Sequence, residues 1–294
     1  MRSRKRALRR AFVGLGLGIA LLAPTGCRST SVAAPERAVT EHGAHDGLNA
    51  ILWVQTAAEY RATTLQAYRS ATAHLDLALA DPTWTAALEQ NGEFGTLPAA
   101  VILDMDEAIL QSSRFQAGLV QHGESYRLGD WNDWVRTETA EAIPGALGYV
   151  RRAGELGVHI FYLTNRTADV EAASLATLRK IGFPVEGGAE DLLTQNERPE
   201  WTSDKSSRRA HLARSHRILQ IVGDNLNDFT SGGHGSVEER RSLMERYESY
   251  WGARWIVLPN PSYGGWVGAL FDFEYRLPPD EIRARKRRHL RSWR

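Results

Sequence analysis

Short apolar runs rich in β-branched residues recur along this chain, and segments with helical periodicity separate them. Runs of this length and composition are typical of strands buried on both faces. Strands that alternate with helices indicate a parallel sheet, in which ligands bind beyond the carboxyl ends of the strands. The sequence therefore predicts an α/β fold with a doubly wound parallel sheet. The predicted strands cover residues 99–103, 158–163, 218–222 and 255–258, and helical periodicity covers residues 146–156 and 168–181.

Polar residues capable of chemistry follow three of these four predicted strands. Asp104 follows the first, Thr164 the second and Asp224 the third. Because parallel strands end at one edge of a sheet, we expect these side chains to converge there. Asp106 and Asp228 lie a few residues further on and bring more carboxylates to the same place. Carboxylates that converge repel one another unless a hard cation joins them, and Mg²⁺ prefers such oxygen ligands.

Lysine is rare in this chain, with four lysines among 36 basic residues. We therefore interpret Lys205 as a functional cation rather than as incidental surface charge. Anionic oxygens that are shared between Mg²⁺ and a lysine indicate a phosphoryl group. The residues alone thus predict a phosphoryl site at the sheet edge.

The order of these residues resembles the four motifs of the haloacid dehalogenase (HAD) superfamily of phosphatases. The chain is most similar to class C bacterial acid phosphatases, the lipoprotein 5′-nucleotidase group, over roughly residues 48–275. The resemblance implies a HAD-like fold in a domain at 47–278, with mainly helical accessory parts at about 47–90 and 111–142. The matching segments include Asp104-x-Asp106, Thr164, Lys205, Gly223-Asp224-Asn225-x-x-Asp228, Trp131-x-x-Trp134-Val135, Phe161-Tyr162-Leu163-Thr164-Asn165-Arg166 and Leu258-Pro259-Asn260-Pro261-Ser262-Tyr263-Gly264-Gly265-Trp266.

The resemblance also implies how the reaction would run. Asp104 would be the nucleophile that attacks phosphorus and forms an aspartyl-phosphate. Asp106 would protonate the leaving alcohol and then accept a proton from the water that hydrolyses the intermediate. The implied reaction is the hydrolysis of a small phosphomonoester.

The remaining motif residues would hold the metal and the phosphoryl oxygens. The resemblance implies that Mg²⁺ is bound by the Asp104 carboxylate, the main-chain carbonyl of Asp106 and Asp224. Asp228 would contact the groups that bind the metal, or would bind the metal itself through a water molecule. The phosphoryl oxygens would be held by Thr164, the Asn165 backbone and Lys205.

Several aromatic residues could stack on a nucleobase, since every base offers a π-face. For Phe115, Trp131 and Tyr263 we weigh substrate contact equally against packing, whereas for Trp134 we favour packing. The resemblance makes nucleoside 5′-monophosphates the expected substrates.

The chain departs from the family pattern at Ala108, Gln111 and Ser112, close to the first motif. These departures put the substrate range and the rate in question. Ala108 and Gln111 support an alternative hypothesis, a surface lipoprotein that mainly binds a nucleotide or haem and retains vestigial catalysis.

The pattern of the first 26 residues is typical of a signal peptide for export. A basic segment precedes thirteen apolar residues, 11–23. This length is typical of the hydrophobic region of a signal peptide and is too short to span a bilayer. Small residues precede Cys27, the only cysteine, as in bacterial lipoprotein signals. We predict lipidation at Cys27, a tether at 27–46 and a location in the bacterial cell envelope, facing the periplasm or the exterior. The alternative is an ordinary secretory signal with a chance cysteine.

Basic residues are concentrated at the two ends of the chain. Residues 1–10 and 282–294 hold thirteen of the 36 basic residues and none of the 35 acidic ones, which leaves a net charge of −12 in between. This negative charge argues against a nucleic-acid polymer as partner, because the nucleic-acid backbone is also negative. Within the basic tail at 279–294, we favour a solvated, frayed end for residues 283–294 over a helix that touches anionic lipid. The sequence leaves open whether the protein is a monomer or a homo-oligomer.

Helical spacing of apolar residues predicts one helix over residues 47–80. Asp81 and Pro82 then predict a new helix start, because aspartate is a good N-cap and proline suits the first helical position.

Overall fold

The computed structural model describes residues 46–186 and 188–293, and a five-stranded parallel sheet lies at its centre. The strands are β1 (Ala99–Leu103), β2 (Leu110–Gln111), β3 (Glu141–Ala142), β4 (His159–Thr167), β5 (Leu192–Gln195), β6 (Arg217–Gly223) and β7 (Trp255–Val257). The central sheet has the order β5-β4-β1-β6-β7, and β2 pairs with β3 in a small antiparallel sheet. The four predicted strands are all present, and the α/β class is confirmed.

Helices and irregular segments cover both faces of this sheet. The helices are α1 (Leu48–Thr56), α2 (Ala58–Ala80), α3 (Ser113–His122), α4 (Leu128–Arg136), α5 (Ala146–Glu155), α6 (Glu171–Ile181), α7 (Ser206–Ala213), α8 (Leu226–Phe229), α9 (Val237–Arg246), α10 (Gly265–Gly268) and α11 (Pro279–Arg288). Among the described residues, no helix combines the length and the apolar character that crossing a bilayer requires.

The alternation of side chains along β1 explains why both faces are covered. Val101 and Leu103 point into one core, which includes residues of α2, α5 and α6. Ala100 and Ile102 point into the other, which includes residues of α7 and α8. Since successive strand residues face opposite sides, a strand that is apolar throughout needs a core on each side.

The predicted helix over 47–80 is wrong in one respect, because Ala57 divides it into α1 and α2. Ala57 has extended backbone angles, φ −77° and ψ 130°. The predicted helix start at Asp81 is also wrong. The Asp81 carboxylate accepts hydrogen bonds from the amide and hydroxyl of Thr83, at 2.8 and 2.7 Å. Such side-chain bonds to the local backbone compete with helix formation, and a turn results.

The basic tail contains α11, so the frayed end that we favoured for residues 283–294 is wrong for residues 283–288. Pro279 lies at the first helical position, and Asp280 and Glu281 lie in the first turn. Both features suit a helix N-terminus. No residue of α11 is buried. The predicted signal at 1–26, Cys27 and all of the tether except Asp46 lie outside the described residues.

Candidate active site

The register between β1 and β6 brings two acidic residues to adjacent positions. Leu103 lies beside Val222, so Asp104 and Asp224 follow neighbouring strand ends. The amide of Asp104 donates to the carbonyl of Val222 at 2.8 Å and extends the pairing by one residue. The two carboxylates therefore start from the same edge of the sheet.

Asp228 joins these two residues from the first turn of α8. Oxygen atoms of Asp104, Asp224 and Asp228 all lie within 4.8 Å of one another. The second oxygen of Asp228 accepts hydrogen bonds from the amides of Asp224 and Asn225, at 3.1 and 2.8 Å. Gly223 makes room for this arrangement, since a Cβ there would lie 2.3 Å from the Asp228 carboxylate.

Lys205 connects two of the three carboxylates. Its ammonium group donates to Asp104 at 2.5 Å and to Asp228 at 2.6 Å, and the side chain is buried. Burial alone would lower the pKa of Lys205, but the facing carboxylates of Asp104 and Asp228 outweigh it and raise the pKa. Lys205 is therefore a cation at neutral pH and is held where a phosphoryl oxygen could reach it.

One ammonium does not balance the negative charge of this cluster. Burial raises the pKa of Asp104 to about 7 even though Lys205 opposes the shift. Burial and the neighbouring Asp228 raise the pKa of Asp224 well above its usual range. Carboxyl groups resist ionisation in this way when too little positive charge lies near them, and a bound divalent cation would supply that charge. The donor set of carboxylate oxygens therefore fits a hard cation such as Mg²⁺.

The end of β4 brings Thr164 and Asn165 to the same edge, since β4 pairs with the other side of β1. A buried arginine, Arg208 of α7, fixes their positions. It donates to the carbonyl of Thr164 at 2.5 Å and to the side-chain oxygen of Asn165 at 2.6 Å. The Asn165 amide group in turn donates to the carbonyl of Ser203 at 3.0 Å. The Asn165 side chain is thus bound to the protein, which leaves its backbone for a ligand.

The carboxylate of Asp106 is held differently from those of Asp104 and Asp224. Arg166 binds it with two nitrogen atoms, Nη2 to Oδ1 at 2.7 Å and Nε to Oδ2 at 3.0 Å. Of the four aspartates predicted for the site, only Asp106 is absent from the cluster that could hold a metal ion through side-chain oxygens. This agrees with a metal contact through its main-chain carbonyl, as the resemblance implies.

The predicted substrate-binding aromatics occupy unequal positions. Trp131 is only 7% exposed and packs between Phe115 and Trp134, with ring centroids 5.1 and 4.9 Å away. Its ring is covered by protein, and we therefore assign Trp131 to packing. Tyr126, which the sequence did not single out, lies at the edge of this cluster and is 55% exposed.

Tyr263 lies beside the acidic residues. Burial, with Glu107 and Asp224 nearby, raises the pKa of Tyr263 well above its usual range. Asn260, three residues earlier, donates to Asp224 Oδ2 at 2.7 Å. The loop after β7 therefore supports the site and places an aromatic ring next to it.

Sequence reasoning assigned no role to the buried arginines Arg166, Arg208 and Arg209, although Arg166 stands in one of the matching segments. Arg209 donates to the carbonyl of Asp228 at 2.9 Å and pairs with Glu89 at 2.7 Å. A signal was available for two of them, since Arg208 and Arg209 follow Lys205 at helical spacing. For Arg166 the available signal was its position two residues after Thr164 on one strand, which places both side chains on one face.

Comparison with known proteins gives a consistent result. Residues 25–266 match the family model described as HAD superfamily, subfamily IIIB (acid phosphatase). Two crystal structures of a class C acid phosphatase from Bacillus anthracis, one with tungstate bound, superpose with a TM-score of 0.75. They are 32% and 33% identical in sequence, and the match covers 84% of this chain and 98% of theirs.

Similarity to plant proteins is more distant. The stem 28 kDa glycoprotein of Glycine max is 28% identical over 151 residues, which cover 49% of this chain. The chain spans about half the length of that relative, 52%. A stem 31 kDa glycoprotein from the same plant is 27% identical over 169 residues, 58% of its length.

Proposed function

Because this chain belongs to the acid phosphatases of HAD superfamily subfamily IIIB, we propose that it is an exported, Mg²⁺-dependent phosphomonoesterase that works through an aspartyl-phosphate. The observation that carries the proposal is the cluster of Asp104, Asp224 and Asp228 with Lys205 between two of them. A nucleophile, a cation site and a fixed positive charge are what phosphoryl transfer chiefly needs.

The first step would use Asp104 as the nucleophile. One of its oxygens attacks phosphorus, the bond from phosphorus to the ester oxygen breaks, and the leaving oxygen takes a proton from Asp106. Lys205 and the Thr164–Asn165 loop would hold the phosphoryl oxygens as charge develops on them. Burial of Lys205 strengthens this interaction, because water screens it less.

The second step would release phosphate. Water attacks phosphorus of the aspartyl-phosphate, gives a proton to Asp106 and frees inorganic phosphate, which restores Asp104. Mg²⁺, held by the Asp104 and Asp224 carboxylates and the Asp106 carbonyl, would supply positive charge that neutralises the phosphoryl oxygens. Asp228 would keep Lys205 and the Asp224 backbone in place through its three hydrogen bonds.

The proposed substrates are nucleoside 5′-monophosphates or related small esters. The Bacillus anthracis relative binds tungstate, a tetrahedral oxyanion like phosphate. Exposed aromatic surface at Tyr126, with the ring centre of Phe115 6.3 Å away, supports stacking with a base. The ring of Tyr263 beside Asp224 supports it as well. We assign Trp131, which is only 7% exposed, to packing rather than to substrate contact.

The proposed location is the bacterial cell envelope, with a lipid on Cys27 and the enzyme facing the periplasm or the exterior. Support comes from the sequence, in which the only cysteine follows an apolar segment of signal length. Mass spectrometry of the mature N-terminus tests this. A diacylated Cys27 supports the anchor, and an unmodified cysteine within a longer mature chain contradicts it.

A phosphate-release screen tests the activity. The purified protein is incubated with nucleotides, sugar phosphates and p-nitrophenyl phosphate, with Mg²⁺ or with EDTA. We expect release with Mg²⁺, none with EDTA, and recovery when Mg²⁺ is restored. Tight nucleotide or haem binding without phosphate release would instead favour the binding-protein alternative.

A further inference from the structure

The carboxylate of Asp106 has both oxygens bound by one guanidinium group. Arg166 Nη2 lies 2.7 Å from Oδ1 and Nε lies 3.0 Å from Oδ2. Two parallel hydrogen bonds of this kind fix direction as well as distance, because the guanidinium is planar and its donors are rigidly placed. The orientation of Asp106 is therefore decided by a residue sixty positions away on β4.

Arg166 is itself immobilised on its other sides. Its third nitrogen, Nη1, donates to the hydroxyl of Ser174 in α6 at 3.1 Å. Its amide donates to the hydroxyl of Thr164 at 3.1 Å, and its Cζ lies 5.9 Å from the ring centre of Trp131. The side chain is only 1% exposed. A buried arginine with so many fixed partners has little freedom to swing, and the carboxylate that it binds shares that rigidity.

We propose that Arg166 is the positioning residue of Asp106 in proton transfer, an inference that rests on the proposed function. As Asp106 gives its proton to the leaving oxygen it becomes a carboxylate, and the adjacent guanidinium stabilises that product. A carboxyl group keeps lone pairs beyond those that Arg166 occupies, so it can exchange a proton while it stays bound. Arg166 touches neither the phosphoryl group nor the nucleophile in this scheme and acts through Asp106.

The leaving group of the substrate distinguishes this role from a structural one. p-Nitrophenolate leaves without being protonated, whereas the alkoxide of benzyl phosphate needs a proton as the bond breaks. The ratio kcat/KM covers only the steps up to that bond cleavage, so hydrolysis of the intermediate does not obscure it. Arg166→Gln should lower kcat/KM about 100-fold for benzyl phosphate and less than about 10-fold for p-nitrophenyl phosphate, in line with the usual contribution of general acids.

Further variants sharpen the test. Arg166→Lys keeps the charge but loses the paired hydrogen bonds, and should fall between wild type and Arg166→Gln. Adding Arg166→Gln to Asp106→Asn should cost little more than Asp106→Asn alone, because both act on one proton transfer. Arg217→Gln is the matched control, since Arg217 is also buried and, in the described part of the chain, donates its side-chain hydrogen bonds to main-chain carbonyls at the other end of the sheet. It should leave the ratio between the two substrates unchanged.

Equal losses for both substrates, or no loss for either, would overturn the proposal. If Arg166→Gln does not fold, Arg166→Lys and Ser174→Ala carry the test. A selective loss for benzyl phosphate in both supports the proposal, and proportional losses refute it. A wild-type chain that hydrolyses neither ester with Mg²⁺ refutes the proposed function, and the role of Arg166 falls with it. The two failures can be told apart. If the wild type hydrolyses both esters and Arg166→Gln loses the same factor on each, only the proposed role of Arg166 is refuted.

Discussion

Buried arginines lie at both ends of the central sheet, and their partners differ. At the carboxyl end, Arg166 and Arg208 donate to Asp106 and Asn165, side chains that belong to the site. At the amino end, Arg217 donates to carbonyls of Ala78 and Leu79 at the C-terminus of α2, at 3.1 and 3.2 Å. There it satisfies helix carbonyls that lack partners within the helix. Burial of a charged residue therefore does not show whether it has a functional role, whereas the group that it binds does.

The same contrast holds for the other titratable groups. A cavity of about 490 Å³ at the amino end is lined by His159, His216 and Asp191, among other residues. His159 Nε2 lies 2.7 Å from Asp191 Oδ1, so the carboxylate there has a hydrogen-bonding partner. At the carboxyl end, Asp104 and Asp224 face each other beside a single lysine. Uncompensated like charge, and not the size of a cavity, distinguishes the end of the sheet that suits phosphoryl chemistry.

The largest expected effect is at the nucleophile. Asp104→Asn should reduce hydrolysis of p-nitrophenyl phosphate by at least about 10³-fold, because the amide cannot attack phosphorus. Circular dichroism should show an intact fold. The matched control is Asp133→Asn, on an aspartate whose side chain is 80% exposed on α4. Wild-type activity in Asp104→Asn would exclude Asp104 as the nucleophile.

Arg208→Gln tests whether a buried arginine at the carboxyl end affects activity. Without its bonds to Thr164 and Asn165, the loop that would hold the phosphoryl oxygens should shift. A displacement near 1 Å can cost about 100-fold, so we expect kcat/KM to fall by about that factor. Weaker inhibition by tungstate should accompany the loss. Unchanged kinetics would mean that the loop is held without Arg208.

Arg217→Gln makes the corresponding change at the amino end. The free energy of unfolding in urea should fall by about 3 kcal/mol, since carbonyls lose bonds to a charged donor. Activity per folded molecule should stay within about twofold of wild type, because nothing at the carboxyl end contacts Arg217 in the described residues. A large loss of activity with normal stability would contradict the division between the two ends.

The smallest expected effect is on pH dependence of stability in protein stripped of metal. Burial raises the pKa of Asp104 to about 7, so the folded chain keeps a proton that the unfolded chain loses near pH 4. Between these values the folded state binds more protons, and stability falls as pH rises. Tm should drop by about 5 °C from pH 4.5 to pH 7. Mg²⁺ should restore it at pH 7, and Asp104→Asn should reduce the slope, because Asp224 contributes part of it.

The amino end should show the opposite sign. Burial and the neighbouring His159 lower the pKa of His216. The unfolded chain then binds more protons as pH falls through the ordinary histidine range, and stability falls with it. His216 and Asp104 titrate in overlapping pH ranges, so removing the His216 contribution should make the decline toward pH 7 steeper in His216→Gln. A slope unchanged from wild type would show that His216 does not contribute to the pH dependence of stability.

Much of the fold and of the acidic cluster could be predicted because the signals are local. A run such as Ala99–Leu103 is apolar at every position, which already requires a core on each side. Asp104 and Asp224 directly follow such runs, and parallel strands end at one edge. The break at Ala57 could not be predicted, since apolar spacing continues across it and only φ and ψ distinguish two helices from one.

By itself, then, the sequence determined four of the five strands of the central sheet, their parallel arrangement and the convergence of Asp104, Asp224 and Lys205. Only the tertiary structure decided that Arg166 binds Asp106, that Arg208 fixes Asn165 and that Trp131 packs between Phe115 and Trp134. The physical reason is the distance along the chain between the residues that decide each feature. Periodicity and strand ends depend on neighbouring residues, whereas the partner of a buried charge depends on strand order, register and side-chain rotamers across distant parts of the chain.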